Sequence, residues 1–157
     1  MIPNAGYDNS LAEADRAADR AITAMTVAAA GCAVIPIHVN WVAFCTTLGG
    51  GVVYIGHCYG VRASREEGWK LIVRFFIAAG FGFMALTFGA KFITAVMKST
   101  GFPYPVGVLL DAVFSAAIAY AVGQSAKAYF RGERRKLELG RIFREAFEQQ
   151  KLVPVPA

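Results

Sequence analysis

The most constraining feature of this sequence is a run of 41 residues, from Ala21 to Val61, that contains no Asp, Glu, Lys or Arg. Two shorter uncharged runs follow at 75–90 and 112–126. A small soluble protein has too little polar surface to cover several stretches of this kind, whereas hydrocarbon solvates them well. Hydrophobic residues make up 56% of the chain and charged residues 17%, against about 45–50% and about 25% in soluble domains. The sequence therefore predicts a protein that is embedded in a membrane or inserted into one.

The apolar runs carry helix signals and no strand-like alternation, which predicts an all-α fold. Pro36 ends the first helix because proline disfavours helix at the preceding residue. Ser64 and Glu67 have the spacing of a capping box, which begins the third helix. The expected product is one membrane-associated domain over residues 1–157, made of two apolar helical hairpins and a C-terminal amphipathic helix. The main helices are predicted at 8–35, 40–60, 65–98 and 105–131, with the amphipathic tail helix at 133–150.

The distribution of charge predicts an orientation. The hairpin tips at Pro36–Asn40 and Ser99–Pro105 are poor in charge, whereas the 62–74 connection and the tail from Lys127 onward are basic. By the positive-inside rule, this asymmetry predicts that both termini lie in the cytoplasm. Lys91 and Lys98 lie towards the opposite end and must snorkel or pair. Hairpins that span the bilayer and hairpins that insert shallowly from the cytoplasmic side are both compatible with this pattern.

Glycines in the apolar helices predict close helix packing. The "LGGG" that begins at Leu48 lacks the preceding strand and the following Lys-Ser/Thr of a phosphate-binding loop, so packing is favoured over ligand contact. The residues to which we assign this packing role are Gly49, Gly50, Gly56, Gly60, Gly80, Gly82, Gly89 and Gly123.

Four of the five histidines and cysteines in the uncharged run raise the question of a metal or thiol site: His38, Cys45, His57 and Cys58. Structural zinc sites use ligands in tight pairs such as Cys-x-x-Cys. Here Cys45 and Cys58 are separated by thirteen residues and point about 220° apart on a helix. His57 and Cys58 are adjacent, and adjacent helical residues do not converge on one ion. We therefore predict no metal, no cofactor and no catalytic residue.

Asp111 is the one acidic residue between Glu67 and Glu133. A carboxylate in apolar surroundings is costly unless it is paired, and Lys91 on the preceding helix is the predicted partner in a buried ion pair. A role for Asp111 in a proton or ion relay is the alternative.

The C-terminal region is basic and amphipathic, which favours contact with anionic lipid or with an acidic protein surface. No aromatic–basic platform or groove-reading motif accompanies the charge, so nucleic acid is not an expected partner. The residues predicted to face lipid or a partner are Arg131, Arg134, Arg135, Lys136, Arg141 and Arg144.

Three short motifs carry a family resemblance: "AAAGCAVIPI", "CYGVRAS" and "AIAYAVGQSAKAYFRG". Over residues 20–132, the chain resembles the YcjF-type domain of unknown function, which follows the G domain in some Era-like bacterial GTPases. It departs from that family at "PIHVNW" and at "GFPYPVG", where Pro-Gly turns are usual. The resemblance implies helical hairpins at the bacterial inner membrane and no known catalytic residues. Nucleotide hydrolysis does not follow, because the sequence contains no G domain.

Together these features favour a non-enzymatic membrane anchor or scaffold that acts with a partner such as a GTPase or a second copy of itself. A small oligomeric transporter or channel that uses Asp111 and Lys91 is the alternative. A soluble enzyme with a Cys/His site is disfavoured by the uncharged runs. No small-molecule substrate is identified.

Overall fold

A computed structural model describes the backbone of residues 5–35, 37–100, 104–133 and 135–151. Side chains are described from residue 10 onward within these ranges, apart from those of residues 37, 38, 81, 84, 86, 88 and 151. The described residues form six α-helices, one short 3-10 turn (Cys32–Val34) and no strand, which confirms the all-α prediction. The helices are α1 (Ala5–Gly31), α2 (Ile37–Cys58), α3 (Arg65–Ala79), α4 (Phe81–Thr100), α5 (Tyr104–Phe130) and α6 (Lys136–Lys151).

The predicted helix over 65–98 is two helices in the structure, separated at Gly80. Gly80 has a φ of 102°, which glycine adopts far more readily than residues with a side chain. Its N–H donates to the carbonyl oxygens of Phe76 and Ile77, which closes α3. The start of α3 follows the prediction: the Ser64 hydroxyl accepts from the Glu67 N–H, and the Glu67 carboxylate accepts from the Ser64 N–H.

The helix α5 lies at the centre of the bundle and packs against α1, α2, α4 and α6. One layer of the core, between α1, α2 and α5, is built from small and branched side chains such as Ile22, Val52 and Val122. The other layer, between α3, α4, α5 and α6, is aromatic. In that layer the ring of Phe83 lies 4.7 Å from that of Phe147 and 5.4 Å from that of Phe143, centroid to centroid, at nearly perpendicular angles.

The amphipathic helix α6 turns back after Gly132 and runs antiparallel to α5. Its apolar face is buried in the bundle, with Leu139, Phe143 and Phe147 fully covered. The Phe147 ring comes within 6.4 Å of the Phe114 ring, centroid to centroid, so α6 covers α5 from its C-terminal end back to about Phe114. Ten residues of α5 precede Phe114, about 15 Å at 1.5 Å per residue, and α6 continues four residues past Phe147, about 6 Å, so the part of α5 that extends beyond α6 is shorter than 15 Å.

Candidate functional site: a buried lysine–aspartate cluster

A polar stripe on α4 begins the site. Thr87, Lys91, Thr94 and Lys98 recur at intervals of four, three and four residues, which places them on one face of the helix. All four are buried. This stripe faces α5, where Asp111 and Ser115 are one turn apart and also buried. Helix periodicity places the two lysines on one face of α4, and the packing of α4 on α5 brings Asp111 to them.

The carboxylate of Asp111 accepts from three donors. The Lys91 ammonium lies 2.5 Å from Oδ1, the Lys98 ammonium lies 2.6 Å from Oδ2, and Asn40 Nδ2 donates to Oδ2 at 3.0 Å. The exposed fractions of the two lysine side chains are 6% and 4%, and that of Asp111 is 3%. Charge-assisted hydrogen bonds of this kind are the strong ones in proteins, and here they lie out of contact with bulk water.

The lysines make further contacts that tie the helices together. Lys91 also donates to the Ser115 hydroxyl, and its ammonium lies 4.5 Å from the centre of the Phe44 ring. Lys98 donates to the carbonyl oxygen of Ala33 at 3.0 Å. The cluster thus connects the segment after α1, the start of α2, the second half of α4 and the first half of α5. It joins the tip of one hairpin to the tip of the other.

The close approach of α4 to α5 depends on a glycine. A Cβ built on Gly107 would lie 3.1 Å from Met97 Cβ and 3.2 Å from Lys98 Cγ. These separations are tighter than ordinary side-chain contacts, so a larger residue at 107 would push Lys98 away from Asp111. Gly107 was not among the glycines singled out from the sequence.

The predicted pair of Asp111 and Lys91 is brought together by the structure, and the cluster is larger than that pair. Lys98 and Asn40 were not predicted as partners of Asp111. The seven-residue spacing of Lys91 and Lys98, with a threonine one turn before each, is the sequence signal that would have indicated a shared polar face. No local signal indicated Asn40 or the Ala33 carbonyl, because both reach the site through the fold.

A small cavity of about 10 Å³ adjoins the cluster and is lined by Asn40, Trp41, Lys91, Thr94, Ala95, Lys98 and Asp111. A space of this size holds about one water molecule or an ion of similar size. The arrangement offers cationic N–H donors and one carboxylate. Its chemistry is that of ion binding and structural pairing.

The structure places the eight predicted packing glycines in two kinds of surroundings. A Cβ built on Gly49, Gly56 or Gly123 would press on Trp69, Phe130 or Ile22 respectively, at 3.2, 3.0 and 2.8 Å. The other five predicted glycines have no described atom within 4 Å of such a Cβ: Gly50, Gly60, Gly80, Gly82 and Gly89. Gly60 and Gly80 instead serve turns, with positive φ values. Close contacts that were not predicted occur at Gly51, Gly68, Gly107 and Gly140.

The basic residues of the tail lie on the outer face of α6 and at the end of α5. The apolar face of α6 lies against the protein core, so only the charged face is free for a partner. Arg141 pairs with Glu138 at 2.6 Å and lies 3.5 Å from Glu145 on that face. Arg131 lies 3.5 Å from Asp15 of α1, which makes it an interhelical contact. Arg135, Lys136 and Arg144 are exposed, and Arg134 lies outside the described residues.

The end of the bundle opposite the cluster is held by polar contacts to α1. Tyr59 donates to Asp15 Oδ1 at 2.5 Å, and Lys127 lies 2.6 Å from Asp19 Oδ1. Burial raises the pKa of the Tyr59 hydroxyl above its usual value, and the hydrogen bond to Asp15 raises it further. This end is the one that the sequence predicts to be cytoplasmic.

The histidines and cysteines do not form a cluster within the part of the chain that the structure describes. No three His, Cys, Asp or Glu side chains there are placed to hold one metal ion. Cys45 and Cys58 are half-buried free thiols, His57 is exposed, and the side chain of His38 lies outside the described residues.

Three segments within the helical chain are long and apolar enough to cross a membrane: Ser10–Val34, Val39–Cys58 and Tyr104–Phe130. Large apolar side chains are exposed on these segments and on α4. Val42 is 66% exposed, Phe92 70% and Leu109 65%. Contiguous exposed apolar surface marks a membrane or a protein contact.

Comparison with known proteins gives one family. Over residues 5–151, the chain matches the family described as "Domain of unknown function (DUF697)". The curated proteins and the solved structures give no match. Because the match covers nearly the whole sequence, this chain belongs to the DUF697 family, a domain of unknown function.

Proposed function

We propose that this protein is a non-enzymatic membrane anchor whose two hairpin tips insert into the cytoplasmic leaflet of the bacterial inner membrane. One observation carries the proposal. Apolar side chains point outward around the hairpin tips, while the charged cluster of Lys91, Lys98 and Asp111 is enclosed between them. An apolar exterior around a paired polar interior suits a helical protein in lipid.

The position of α6 favours shallow insertion over complete spanning. Its charged outer face lies beside α5 from the C-terminal end of α5 to about Phe114. Ionised side chains on a lipid-facing surface are costly at bilayer depth. The part of α5 before Phe114 is about 15 Å long, and the last four residues of α6 extend alongside it for about 6 Å. The uncovered tip is therefore shorter than half of the roughly 30 Å hydrocarbon thickness, a depth that stays within one leaflet.

In this arrangement both termini, α3 and the outer face of α6 lie in the cytoplasm. The exposed cations of α6, such as Arg135 and Arg144, are then available to an acidic protein surface. A GTPase is the partner proposed here, on the strength of the resemblance to domains that follow G domains. The transporter alternative has less support, because both oxygens of Asp111 are engaged and the adjoining cavity has room for about one water.

Insertion depth is measured in proteoliposomes that contain brominated lipids, using the two tryptophans of the chain as reporters. Trp41 lies near the hairpin tips, and Trp69 lies on α3. Deeply placed bromines are expected to quench Trp41 far more than Trp69. The variants Trp69→Phe and Trp41→Phe isolate each signal. Equal quenching of the two residues, or a chain that stays soluble without detergent, would contradict the proposal.

Topology is measured with single cysteines in a chain whose Cys32, Cys45 and Cys58 are replaced by Ala. Leu137→Cys reports the outer face of α6, and Ser99→Cys reports the tip of the second hairpin. In intact cells, an impermeant maleimide is expected to label neither site, and Leu137→Cys is labelled after the cells are opened. Labelling of Ser99→Cys from outside would establish a spanning hairpin instead.

The partner role is tested by flotation of purified Era-like G domains with proteoliposomes. Binding is expected with the native chain and is expected to weaken with Arg144→Glu, which leaves the buried face of α6 unchanged. Lys70→Glu on α3 is the matched control. Loss of binding in both variants to the same extent would indicate nonspecific attraction to basic charge.

A further inference from the structure

Among the described residues, the buried cluster contains one positive charge more than its neighbours neutralise. Lys91 and Lys98 share the single carboxylate of Asp111. The helices that meet there supply no second one, since α2, α4 and the rest of α5 contain no Asp or Glu. In α1 the nearest acidic residue is Asp19, fourteen residues before Ala33 and therefore about 21 Å away along the helix axis.

An unneutralised charge in a buried site is expensive, because the protein interior screens and solvates it poorly. The cost is greater still where lipid, not water, surrounds the helices. Two ammonium groups that share one carboxylate also repel each other. The site therefore gains stability either from the loss of one lysine proton or from a bound negative charge of one unit.

The cavity beside the cluster is placed to hold that charge. It adjoins both lysines and also Asp111, whose two carboxylate oxygens accept from those lysines. Its volume of about 10 Å³ suits a single atom or a water molecule and not a phosphate or sulfate. An ammonium group has three N–H donors. Lys98 uses one on Asp111 and one on the Ala33 carbonyl, which leaves its third for a ligand.

We propose that this cavity binds one small monovalent anion of the chloride class, held by Lys98 and Lys91 beside Asn40 and Trp41. The anion completes the charge balance of the cluster and stabilises the contact between the two hairpin tips. This inference extends beyond the anchoring role, and it holds for either depth of insertion.

The first experiment measures thermal unfolding of the purified chain in detergent, as chloride replaces gluconate at constant ionic strength. A ligand that binds the folded state raises the midpoint with the logarithm of its concentration above Kd. The native chain is expected to show this rise. Lys98→Met leaves a neutral Lys91–Asp111 pair and is expected to lose it. Lys70→Met removes an exposed lysine of α3 and is expected to keep it.

A second variant is expected to strengthen chloride binding instead of abolishing it. Asp111→Asn raises the charge of the cluster by one unit, so it is expected to bind chloride more tightly than the native chain, with a Kd lowered at least tenfold. Folding of this variant in chloride but not in gluconate would also support the proposal. A midpoint of the native chain that is equal in chloride and gluconate would overturn it, as would full chloride dependence in Lys98→Met.

The fluorescence of Trp41 reports anion binding directly, because Trp41 lines the cavity. In Trp69→Phe, the emission of Trp41 is titrated with bromide, a heavy-atom quencher, at constant ionic strength. Site binding is expected to give a saturable quenching component that chloride displaces and that Lys98→Met lacks. Quenching that rises linearly and does not respond to chloride would indicate collision with an exposed ring alone. In that case the site holds no halide, and the inference fails even if the variants do not fold.

Discussion

Replacing Asp111 by Asn is the most informative perturbation of this fold. The substitution keeps the size of the side chain and removes its charge, so Lys91 and Lys98 remain buried at 6% and 4% exposure with no carboxylate. Removing one partner of a buried ion pair typically costs about 3–5 kcal/mol, since the remaining charge is left uncompensated. With total stabilities of about 5–15 kcal/mol, this loss is large. The hairpin tips are expected to separate first.

The matched control is Asp19→Asn. It breaks the ion pair between Asp19 and Lys127, in which the Asp19 side chain is 55% exposed. Exposed pairs contribute roughly 0–1 kcal/mol. Both variants are compared by denaturant unfolding in detergent with gluconate as the anion, monitored by far-UV circular dichroism. If Asp111→Asn costs no more than Asp19→Asn, the buried cluster does not stabilise the fold in the way that its geometry indicates.

A variant in which the whole cluster is apolar distinguishes the effect of ion pairing on stability from the effect of side-chain packing. Lys91→Met and Lys98→Met combined with Asp111→Leu remove all three charges at similar volume. Such replacements are often neutral or stabilising in buried ion clusters, so most of the stability lost in Asp111→Asn is expected to return. A triple variant as unstable as the single one would show that Asn40 and Ser115, left without partners, dominate the energetics.

Three further predictions concern packing and pH. Gly140→Ala places a Cβ against a backbone carbonyl of α3 and is expected to lower the free energy of unfolding by about 1–3 kcal/mol through overpacking. Gly50→Ala has no described neighbour within 4 Å of its Cβ and is expected to be nearly neutral in the same unfolding assay. Leu139→Ala empties a fully buried position of α6 and is expected to cost about 2–5 kcal/mol, against almost nothing for the 86% exposed Leu137→Ala; equal costs would mean that α6 does not dock. Burial and the hydrogen bond to Asp15 raise the pKa of Tyr59 in the folded state, so the stability that the protonated Tyr59 contributes is complete below the unfolded pKa of 10.0 and is lost as pH rises towards the higher folded pKa. Tyr59→Phe is therefore expected to reduce the loss of folding stability at alkaline pH. An unchanged dependence of stability on pH would contradict this reasoning.

Local features of the fold were predictable because local chemistry produces them. Ser64 and Glu67 are three residues apart and satisfy each other's backbone N–H groups whatever lies beyond, so the start of α3 was predicted correctly. The break at Gly80 was not predicted, because a glycine within an apolar run can either continue a helix or break it. The backbone chooses the break here, since α3 packs on α2 and α6 while α4 packs on α5.

The site was predictable in part. Asp111 stands out in the sequence as the one acidic residue of a long apolar region, and a buried carboxylate requires a cation. Lys91 was a natural candidate for that cation. Asn40 is 71 positions away along the chain and reaches Asp111 only when the two hairpin tips meet.

The sequence by itself determined the class of this protein: long uncharged runs require an apolar environment, and their helical signals leave helices as the way to satisfy the backbone there. It also determined which charges would be costly. Tertiary structure alone decided how those charges are paired, that the apolar face of α6 packs on α3 and α5, and that only the N-terminal part of α5, shorter than about 15 Å, stays uncovered by α6. The physical reason is that the pairing of charges and the covering of apolar faces depend on which helix faces meet. Two faces that are distant in sequence contain no local signal of each other, so their contact is set only when the bundle packs.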